Sequence, residues 1–241
     1  MTSGHMDENR RAIFLDRDGT LTHPYHYPSR PEHLRLYDGI GLELARLQAQ
    51  GFRLVVITNQ SGLARGYFTE DDLVRMHDYL IHELARWQVH LDAIYYCPHH
   101  IDGTIPALTR VCTCRKPQPG MLWCAASDLT IDLKHSWFVG DILDDVEAGN
   151  RAGCHTVLVD VGTEKTPTSV LRTPMFVARD TVHALRLIST ITAIRSSMGA
   201  DLTYRPSTWT MLAEPPMSAD DSESSLPGRH GFSSEVALCD Q

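Results

Sequence analysis

The amino-acid sequence predicts an α/β fold built on an open, doubly wound sheet of parallel strands. Short apolar runs alternate with helix-like stretches from the start of the chain to about residue 190. Several apolar runs are nearly continuous, as is typical of parallel strands that are buried on both faces. This alternation favours right-handed crossovers and helices on both sides of one sheet.

The predicted elements follow one another in regular order. Six apolar runs are predicted strands: Ala12–Leu15, Leu54–Thr58, Ala93–Tyr96, Trp137–Val139, Thr156–Val159 and the weaker Met175–Val177. Helices are predicted between them, near residues 39–50, 70–88, 119–129, 143–152 and 180–195. The second helix opens with a capping-box pattern, Thr69 followed by Asp72. Because ligands bind beyond the carboxyl ends of the strands in such sheets, polar residues there are candidates for a site.

Composition limits the classes of function. The chain has 241 residues, of which 42% are hydrophobic, enough for one large domain with a real core. No apolar run approaches the roughly 18 residues that a membrane span needs. The net charge of −8 argues against a nucleic-acid partner and against a basic membrane-binding patch. The polar segment 1–11 shows no secretory signal, so we expect a cytoplasmic protein, and we expect it to be a monomer.

The alternating pattern fails beyond residue 197. Residues 198–241 are acidic and rich in proline and serine, most clearly over 214–225. Such a composition buries too little apolar surface to offset the entropy of ordering the chain. We therefore predict one domain at 11–197 and a disordered tail at 198–241.

Two aspartates follow the first predicted strand. Asp16 and Asp18 lie two apart, before Gly19 and Thr20. Residues two apart in a strand point the same way, so these carboxylates can converge on one pocket. They suit a hard cation such as Mg2+, and they suit a division of labour in which one carboxylate attacks and the other moves protons. The alternative is a surface turn after an edge strand.

Polar and basic residues follow in two further segments. Thr58–Gly62 ends the second strand with groups that can hold phosphate or sugar oxygens without adding charge, or that can cap the strand in a polar turn. Arg115 and Lys116 are adjacent cations that could neutralise a phosphate; the alternative is a solvated basic turn. Pro117 and Pro119 make that turn rigid.

The fourth predicted strand also ends in carboxylates. Asp141 is a natural third ligand for a cation held by Asp16 and Asp18. We expect Asp144 and Asp145 to cap the following helix or brace the loop, with direct metal ligation by Asp145 as the alternative.

A cysteine-rich segment, residues 97–114, is here called the cysteine loop. Cys97, His99, Cys112 and Cys114 form a complete tetrahedral zinc set with no open position for chemistry, so we expect a structural zinc site beside Arg115 and Lys116. His100 is an alternative ligand to His99. Disulfides are the alternative to zinc, although clustered cysteines without a secretory signal favour metal binding.

Taken together, these segments resemble the haloacid dehalogenase superfamily of aspartate-nucleophile phosphohydrolases. More narrowly, they resemble its family of D-glycero-D-manno-heptose 1,7-bisphosphate 7-phosphatases. The resemblance covers roughly residues 11–190, and it is carried by residues 14–21, 58–66, 96–100, 112–121 and 140–141. It implies the Rossmann-like fold of that superfamily, here with a zinc-binding loop. We expect no large cap domain, because the insert after Asp18 is short and 97–114 is mostly loop.

The resemblance also implies a mechanism and site residues. Asp16 would attack phosphorus to form an aspartyl-phosphate, and Asp18 would protonate the leaving sugar oxygen and then activate water. Mg2+ would be held by Asp16, Asp141 and the backbone carbonyl of Asp18. Thr58 and Lys116 would steady the phosphoryl oxygens. Positioning and charge neutralisation of this kind are what phosphoryl transfer requires.

Substrate contacts are implied for Tyr27, Asn59, Gln60, Ser61 and Arg115. The family would act on the C7 phosphate of a small phosphorylated sugar, the heptose 1,7-bisphosphate. The chain departs from the family pattern just before Tyr27. It also departs at residue 142, where an isoleucine stands in place of a lysine that family members often carry.

Two other functions stay open at this point. The histidinol-phosphate phosphatases of the same superfamily share the D-x-D-G-T motif and a zinc loop, although the continuation of 61–66 and 119–121 favours the heptose family. A non-catalytic, zinc-stabilised binding module is the alternative from another class. It would be expected to lack a nucleophile or an acid, whereas Asp16, Asp18, Lys116 and Asp141 are all present.

Overall fold

A single parallel sheet runs through the protein. The computed structural model describes residues 10–198 and, as backbone, residues 235–238. Within them the strands are β1 (Ala12–Leu15), β2 (Arg53–Asn59), β3 (Ala93–Cys97), β4 (Trp137–Gly140), β5 (His155–Val159), β6 (Phe176–Ala178) and β7 (Glu235–Leu238). The strand order is β6-β5-β4-β1-β2-β3-β7, with every pairing parallel. The predicted doubly wound sheet is confirmed.

In the described part of the chain, five α-helices lie close to the predicted positions. They are α1 (Ile40–Ala49), α2 (Glu70–Ala85), α3 (Gly120–Asp128), α4 (Leu143–Ala152) and α5 (Thr181–Met198). The predicted capping box begins α2: Thr69 Oγ1 accepts the Asp72 N–H at 3.2 Å, and the Asp72 carboxylate accepts the Thr69 N–H at 2.8 Å. Within the described residues, no helix combines the length and apolar character that crossing a membrane requires.

The core lies on both faces of the sheet. Side chains alternate along β1, so Ile13 and Leu15 pack on one face while Ala12 and Phe14 pack on the other. The first face is covered by apolar residues of α1, α2 and α5, and the second by α3 and part of α4. Because β1 is buried on both faces and paired on both edges, its end is fixed in place.

The order of the strands puts a switch point at the end of β1. The chain continues to β2 on one side of β1 and reaches β4 on the other. Leu15 is paired with both Val56 and Val139, so the ends of three strands lie side by side. The connections after β1 and β3, residues 16–39 and 98–119, are loops with single 3-10 turns at Pro31–His33 and Pro106–Leu108, which is consistent with the expected lack of a large cap.

The structure departs from the predicted disordered tail at one point. Residues 235–238 form β7, which lies alongside β3 with Ala93 opposite Glu235 and Tyr96 opposite Leu238. A short strand-compatible run can pair with the outer edge of β3 even when it lies inside a polar segment. The prediction used the overall composition of residues 198–241, which does not reveal such a short run. Met198, the first residue of the predicted tail, ends α5, and the remainder of the tail lies outside the described residues.

Candidate active site

The predicted motifs meet at the carboxyl ends of the central strands. Asp16 directly follows β1, and its N–H donates to the Val139 carbonyl of β4 at 3.0 Å. Asp141 directly follows β4, and Thr58 lies near the end of β2. Lys116 reaches the same place from the loop before α3. Residues that are distant in the sequence thus share one site, as the position of the motifs predicts.

Lys116 is the centre of this arrangement. Its side chain is 2% exposed, and its Nζ lies 2.6 Å from Asp16 Oδ1 and 2.6 Å from Asp145 Oδ1. It also donates to the Ile57 carbonyl at 2.9 Å. Burial alone would lower the pKa of Lys116, but the carboxylates of Asp145 and Asp16 outweigh it and raise that pKa. The lysine is therefore a fixed ammonium beside Asp16.

Three carboxylates crowd around this single ammonium. Oxygen atoms of Asp16, Asp141 and Asp145 lie within 4.8 Å of one another. Burial is the main cause that raises the pKa of Asp16 well above its ordinary value. Burial, followed by Asp145, raises the pKa of Asp141 to about 6. When all three carboxylates are ionised, they exceed the one ammonium by two negative charges. Hard oxygen ligands with that charge fit a divalent cation such as Mg2+, whose own charge would favour the ionised forms.

Backbone and hydroxyl groups hold Asp141 in place. Gly19 has a φ of +95°, and a Cβ there would overlap the Asp141 carboxylate, so only glycine allows this approach. Thr20 Oγ1 donates to Asp141 Oδ1 at 3.1 Å. Thr181 at the start of α5 in turn donates to the Thr20 carbonyl at 2.8 Å. The glycine and threonine after the two aspartates therefore shape the carboxylate cluster.

Asp145 combines two contacts, one of which the sequence did not predict. Its Oδ2 accepts the Ile142 N–H at 3.3 Å, which is the expected cap of α4. Its Oδ1 pairs with Lys116, which joins the helix start to the carboxylate cluster. Asp144 lies outside this cluster and pairs with Arg172 at 3.0 Å.

Asp18 is held by a separate set of donors. Arg17 Nε and Nη2 donate to the two oxygens of its carboxylate at 3.0 and 2.8 Å. Gln60 Nε2 donates to Asp18 Oδ2 at 3.0 Å. The side chain of Arg17 is fully buried, whereas a quarter of the Asp18 side chain is exposed. Asp18 is thus anchored on the protein side and open on the other.

The polar residues at the end of β2 also bind protein groups. Thr58 Oγ1 accepts from Gln60 Nε2 at 2.8 Å. Asn59 holds the backbone of Lys116 with both ends of its amide: Oδ1 accepts the Lys116 N–H at 3.1 Å and Nδ2 donates to the Lys116 carbonyl at 3.2 Å. The structure therefore gives Thr58, Asn59 and Gln60 positioning contacts, and their substrate contacts stay a prediction.

An open cleft of about 250 Å³ adjoins Asp18. Among the predicted contact residues, Tyr27, Asn59, Gln60 and Ser61 line it. The Tyr27 ring packs edge-on against Tyr67 with centroids 4.7 Å apart. The fifth predicted contact, Arg115, lies at the cysteine loop with its guanidinium 3.5 Å from the His99 carbonyl. The cleft has room for a small ligand beside Asp18.

The cysteine loop brings its four predicted ligands together. The sulfur atoms of Cys97, Cys112 and Cys114 lie 3.2–3.6 Å apart, and His99 Nδ1 lies 3.4 Å from Cys114 Sγ and 3.7 Å from Cys97 Sγ. Tetrahedral zinc with 2.3 Å bonds to sulfur would separate its thiolates by about 3.8 Å, so the set fits zinc after a small expansion. The three cysteines are free thiols, and His100 instead faces Arg65, with ring and guanidinium nitrogens 3.2 Å apart.

Two site residues were missed by sequence reasoning. Arg17 lies between the two aspartates, and its position alone could have drawn attention to it. His77 lies in the middle of α2, fully buried, with Nε2 3.3 Å from Arg17 Nη1. A histidine inside a helix carries no pattern that would indicate this contact.

Several known proteins with similar sequences or structures are named as phosphatases. Residues 113–184 match the HAD-hydrolase-like family. The D-glycero-beta-D-manno-heptose-1,7-bisphosphate 7-phosphatase of Escherichia coli K12 is 45% identical over 157 residues, which are 65% of this chain and 82% of that protein. The enzyme of the same name from Pasteurella multocida is 46% identical over 154 residues, 64% of this chain and 83% of that protein. The D,D-heptose 1,7-bisphosphate phosphatase of B. bronchiseptica, solved with magnesium and phosphate, is 32% identical with a TM-score of 0.64, covering 75% of this chain and 99% of that one.

Proposed function

The chain belongs to the family of haloacid dehalogenase-like phosphatases that includes the D-glycero-beta-D-manno-heptose-1,7-bisphosphate 7-phosphatases, and we propose that it removes the C7 phosphate of that sugar bisphosphate. It is a phosphoric monoester hydrolase. The observation that carries the proposal is Lys116, buried between Asp16 and Asp145 at 2.6 Å from each. An ammonium fixed beside a carboxylate can offset the charge of an incoming phosphoryl group while that carboxylate attacks it.

The first half-reaction transfers the phosphoryl group to Asp16. An oxygen of Asp16 forms a bond to phosphorus as the bond between phosphorus and the C7 oxygen breaks. The carboxyl group of Asp18 gives its proton to the departing sugar oxygen. Lys116 and the Thr58 hydroxyl would hold the phosphoryl oxygens in line for this transfer.

The second half-reaction frees the enzyme. The Asp18 carboxylate takes a proton from a water molecule, which attacks phosphorus and releases inorganic phosphate from Asp16. Asp18 suits this exchange because its carboxylate lies at the cleft while Arg17 and Gln60 hold it from behind. The proton that Asp18 gives in the first half-reaction is thereby replaced in the second.

The carboxylate cluster would hold Mg2+ through Asp16, Asp141 and the backbone carbonyl of Asp18. The two excess negative charges and the mutual approach of the carboxylate oxygens support this assignment. Asp145 lies in the same cluster, and its contact with Lys116 favours a bracing role. When bound, the cation supplies charge that lowers the repulsion between the attacking carboxylate and the phosphate.

The cysteine loop would hold a structural zinc ion through Cys97, His99, Cys112 and Cys114. A closed set of four ligands leaves no position for substrate chemistry. Its contribution would be to fix the loop that leads directly from Cys114 into Arg115 and Lys116, so that the lysine reaches Asp16.

The identity of the substrate depends on the residues that would contact its sugar. Tyr27, Asn59, Gln60, Ser61 and Arg115 would contact it. The alternative substrate is histidinol phosphate or another small sugar phosphate, because Ile142 lacks the cation that many family members carry at this place. We further propose that the enzyme acts as a cytoplasmic monomer.

A panel of substrates tests this function. Phosphate release is measured from the α and β anomers of heptose 1,7-bisphosphate and from histidinol phosphate, with and without Mg2+. We expect fast, Mg2+-dependent release from one heptose anomer. Faster release from histidinol phosphate would move the chain to the alternative substrate and leave the mechanism intact. No release from any phosphomonoester would refute the catalytic proposal.

A further inference from the structure

A chain of hydrogen bonds runs from the cleft through Asp18 and Arg17 into helix α2. Arg17 spreads its guanidinium over three partners. Nε and Nη2 hold both oxygens of Asp18, Nη2 also donates to Gln60 Oε1 at 2.9 Å, and Nη1 donates to His77 Nε2 at 3.3 Å. A fully buried guanidinium is tolerated only when such partners surround it, so its orientation depends on all three of them.

His77 provides the support on the side away from the cleft. Its side chain is fully buried on the inner face of α2. Burial, and then the charge of Arg17, lower the pKa of His77 well below its ordinary value. The ring is therefore neutral and can accept a hydrogen bond at Nε2 with its own proton on Nδ1. A neutral acceptor fixes the guanidinium without competing with Asp18 for its charge.

Gln60 closes the network on the other side. Its Oε1 accepts from Arg17, while its Nε2 donates both to Asp18 Oδ2 and to Thr58 Oγ1. The Asp18 carboxylate therefore accepts hydrogen bonds from both Arg17 and Gln60, and its exposed part faces the cleft. Of the two residues that hold it, Arg17 is fully buried and does not line the cleft.

We propose that Arg17, supported by His77, is a positioning residue that aims the Asp18 carboxyl group at the departing sugar oxygen. This inference rests on the proposed phosphatase function. Proton donation matters most when the leaving group is strongly basic, as a sugar alkoxide is, and least for p-nitrophenolate, which leaves readily without a proton. Misplacing Asp18 should therefore slow sugar-phosphate cleavage selectively.

The experiment compares kcat/KM for heptose 1,7-bisphosphate and for p-nitrophenyl phosphate. This parameter reports the steps up to leaving-group departure, so slow hydrolysis of the aspartyl-phosphate does not affect it. General acid catalysis contributes about a hundredfold or more, so we expect His77→Leu to lower kcat/KM for the sugar phosphate by about tenfold or more. The value for p-nitrophenyl phosphate should change by less than about threefold.

Two further variants separate positioning from packing. His77→Gln keeps a side-chain acceptor for Arg17 and should restore most of the sugar-phosphate activity. Leu80→Val lies on the same buried face of α2 within the apolar core, and it should leave the ratio of the two kcat/KM values unchanged. Arg17→Lys replaces the bidentate guanidinium by a point charge and should show the same selective loss of sugar-phosphate activity. This variant tests the proposal if His77→Leu does not fold.

The outcomes are distinct. A selective loss in His77→Leu that His77→Gln reverses supports the inference. Equal losses on both substrates, or no loss, would overturn it while leaving the phosphatase function in place. If the wild-type enzyme hydrolyses neither substrate, the proposed function fails and this inference fails with it.

Discussion

The crowding of carboxylates around Lys116 predicts a pH-dependent instability in the absence of magnesium. The perturbation is Asp141→Asn, which keeps the shape of the side chain and the hydrogen bond from Thr20 but cannot ionise. Burial and the neighbouring Asp145 raise the pKa of Asp141 from 3.8 to about 6. A carboxyl group whose pKa is higher in the folded chain binds its proton more tightly there. Its contribution to stability is fully present below about pH 4 and is lost as the pH rises through about 6.

The size of the effect follows from the two pKa values. At about pH 5 the folded chain keeps most of its proton on Asp141, whereas the unfolded chain has released it. At about pH 7 both states have released it. The linkage relation then gives a loss of about 1.3 kcal/mol for the wild-type chain between these pH values, and Asp141→Asn should not share that loss.

Urea unfolding at a series of pH values measures the difference. The buffers contain neither magnesium nor a chelator, because a chelator would also remove the zinc ion proposed for the cysteine loop. The free energy of unfolding of the wild type, minus that of Asp141→Asn, should fall by about 1.3 kcal/mol from about pH 5 to about pH 7. Saturating Mg2+ should stabilise the wild type and reverse this trend. A difference that stays constant with pH would refute the argument that buried like charges raise the pKa of Asp141.

Three further outcomes follow from the same site. Asp16→Asn should lower phosphate release by at least about a thousandfold, and near-normal turnover would show that Asp16 is not the nucleophile. Cys112→Ser should reduce bound zinc, measured by metal analysis of the purified protein, and should loosen residues 97–114, measured by faster amide hydrogen exchange there. Lys116→Met leaves Asp16 and Asp145 buried without their ammonium, so urea unfolding without magnesium should show a loss of about 3–5 kcal/mol; a loss below about 1 kcal/mol would contradict the buried ion pairs.

The sequence predicted the sheet well because its strands are locally distinctive. Six apolar runs of strand length, separated by helical stretches, allow few arrangements other than a doubly wound sheet. β7 escaped prediction because its four residues lie in a segment whose overall composition is polar. Its formation depends on pairing with the outer edge of β3, which is a property of the folded sheet rather than of the local sequence.

The site was predictable in its members but not in all of its contacts. Motifs at strand ends identified Asp16 and Asp141, because parallel strands present their carboxyl ends at one edge. Lys116 was identified instead as one of two adjacent cations in a loop. The pairing of Asp145 with Lys116 depends on where α4 begins relative to a loop nearly thirty positions earlier in the sequence. No local sequence pattern predicts the contact between Asp145 and Lys116. The same holds for His77, whose contact with Arg17 depends on how α2 packs on the sheet.

The position of Lys116 is fixed by contacts from several other segments of the chain. The lysine lies on a loop rather than on a strand, so its position would be poorly defined unless other groups fixed it. Asn59, the last residue of β2, binds both the N–H and the carbonyl of Lys116, and the Ile57 carbonyl accepts from its Nζ. Cys114, two residues before it, belongs to the four-ligand cluster. The cysteine loop and the end of β2 therefore fix the same lysine from two sides, which links the cysteine cluster to the carboxylate cluster.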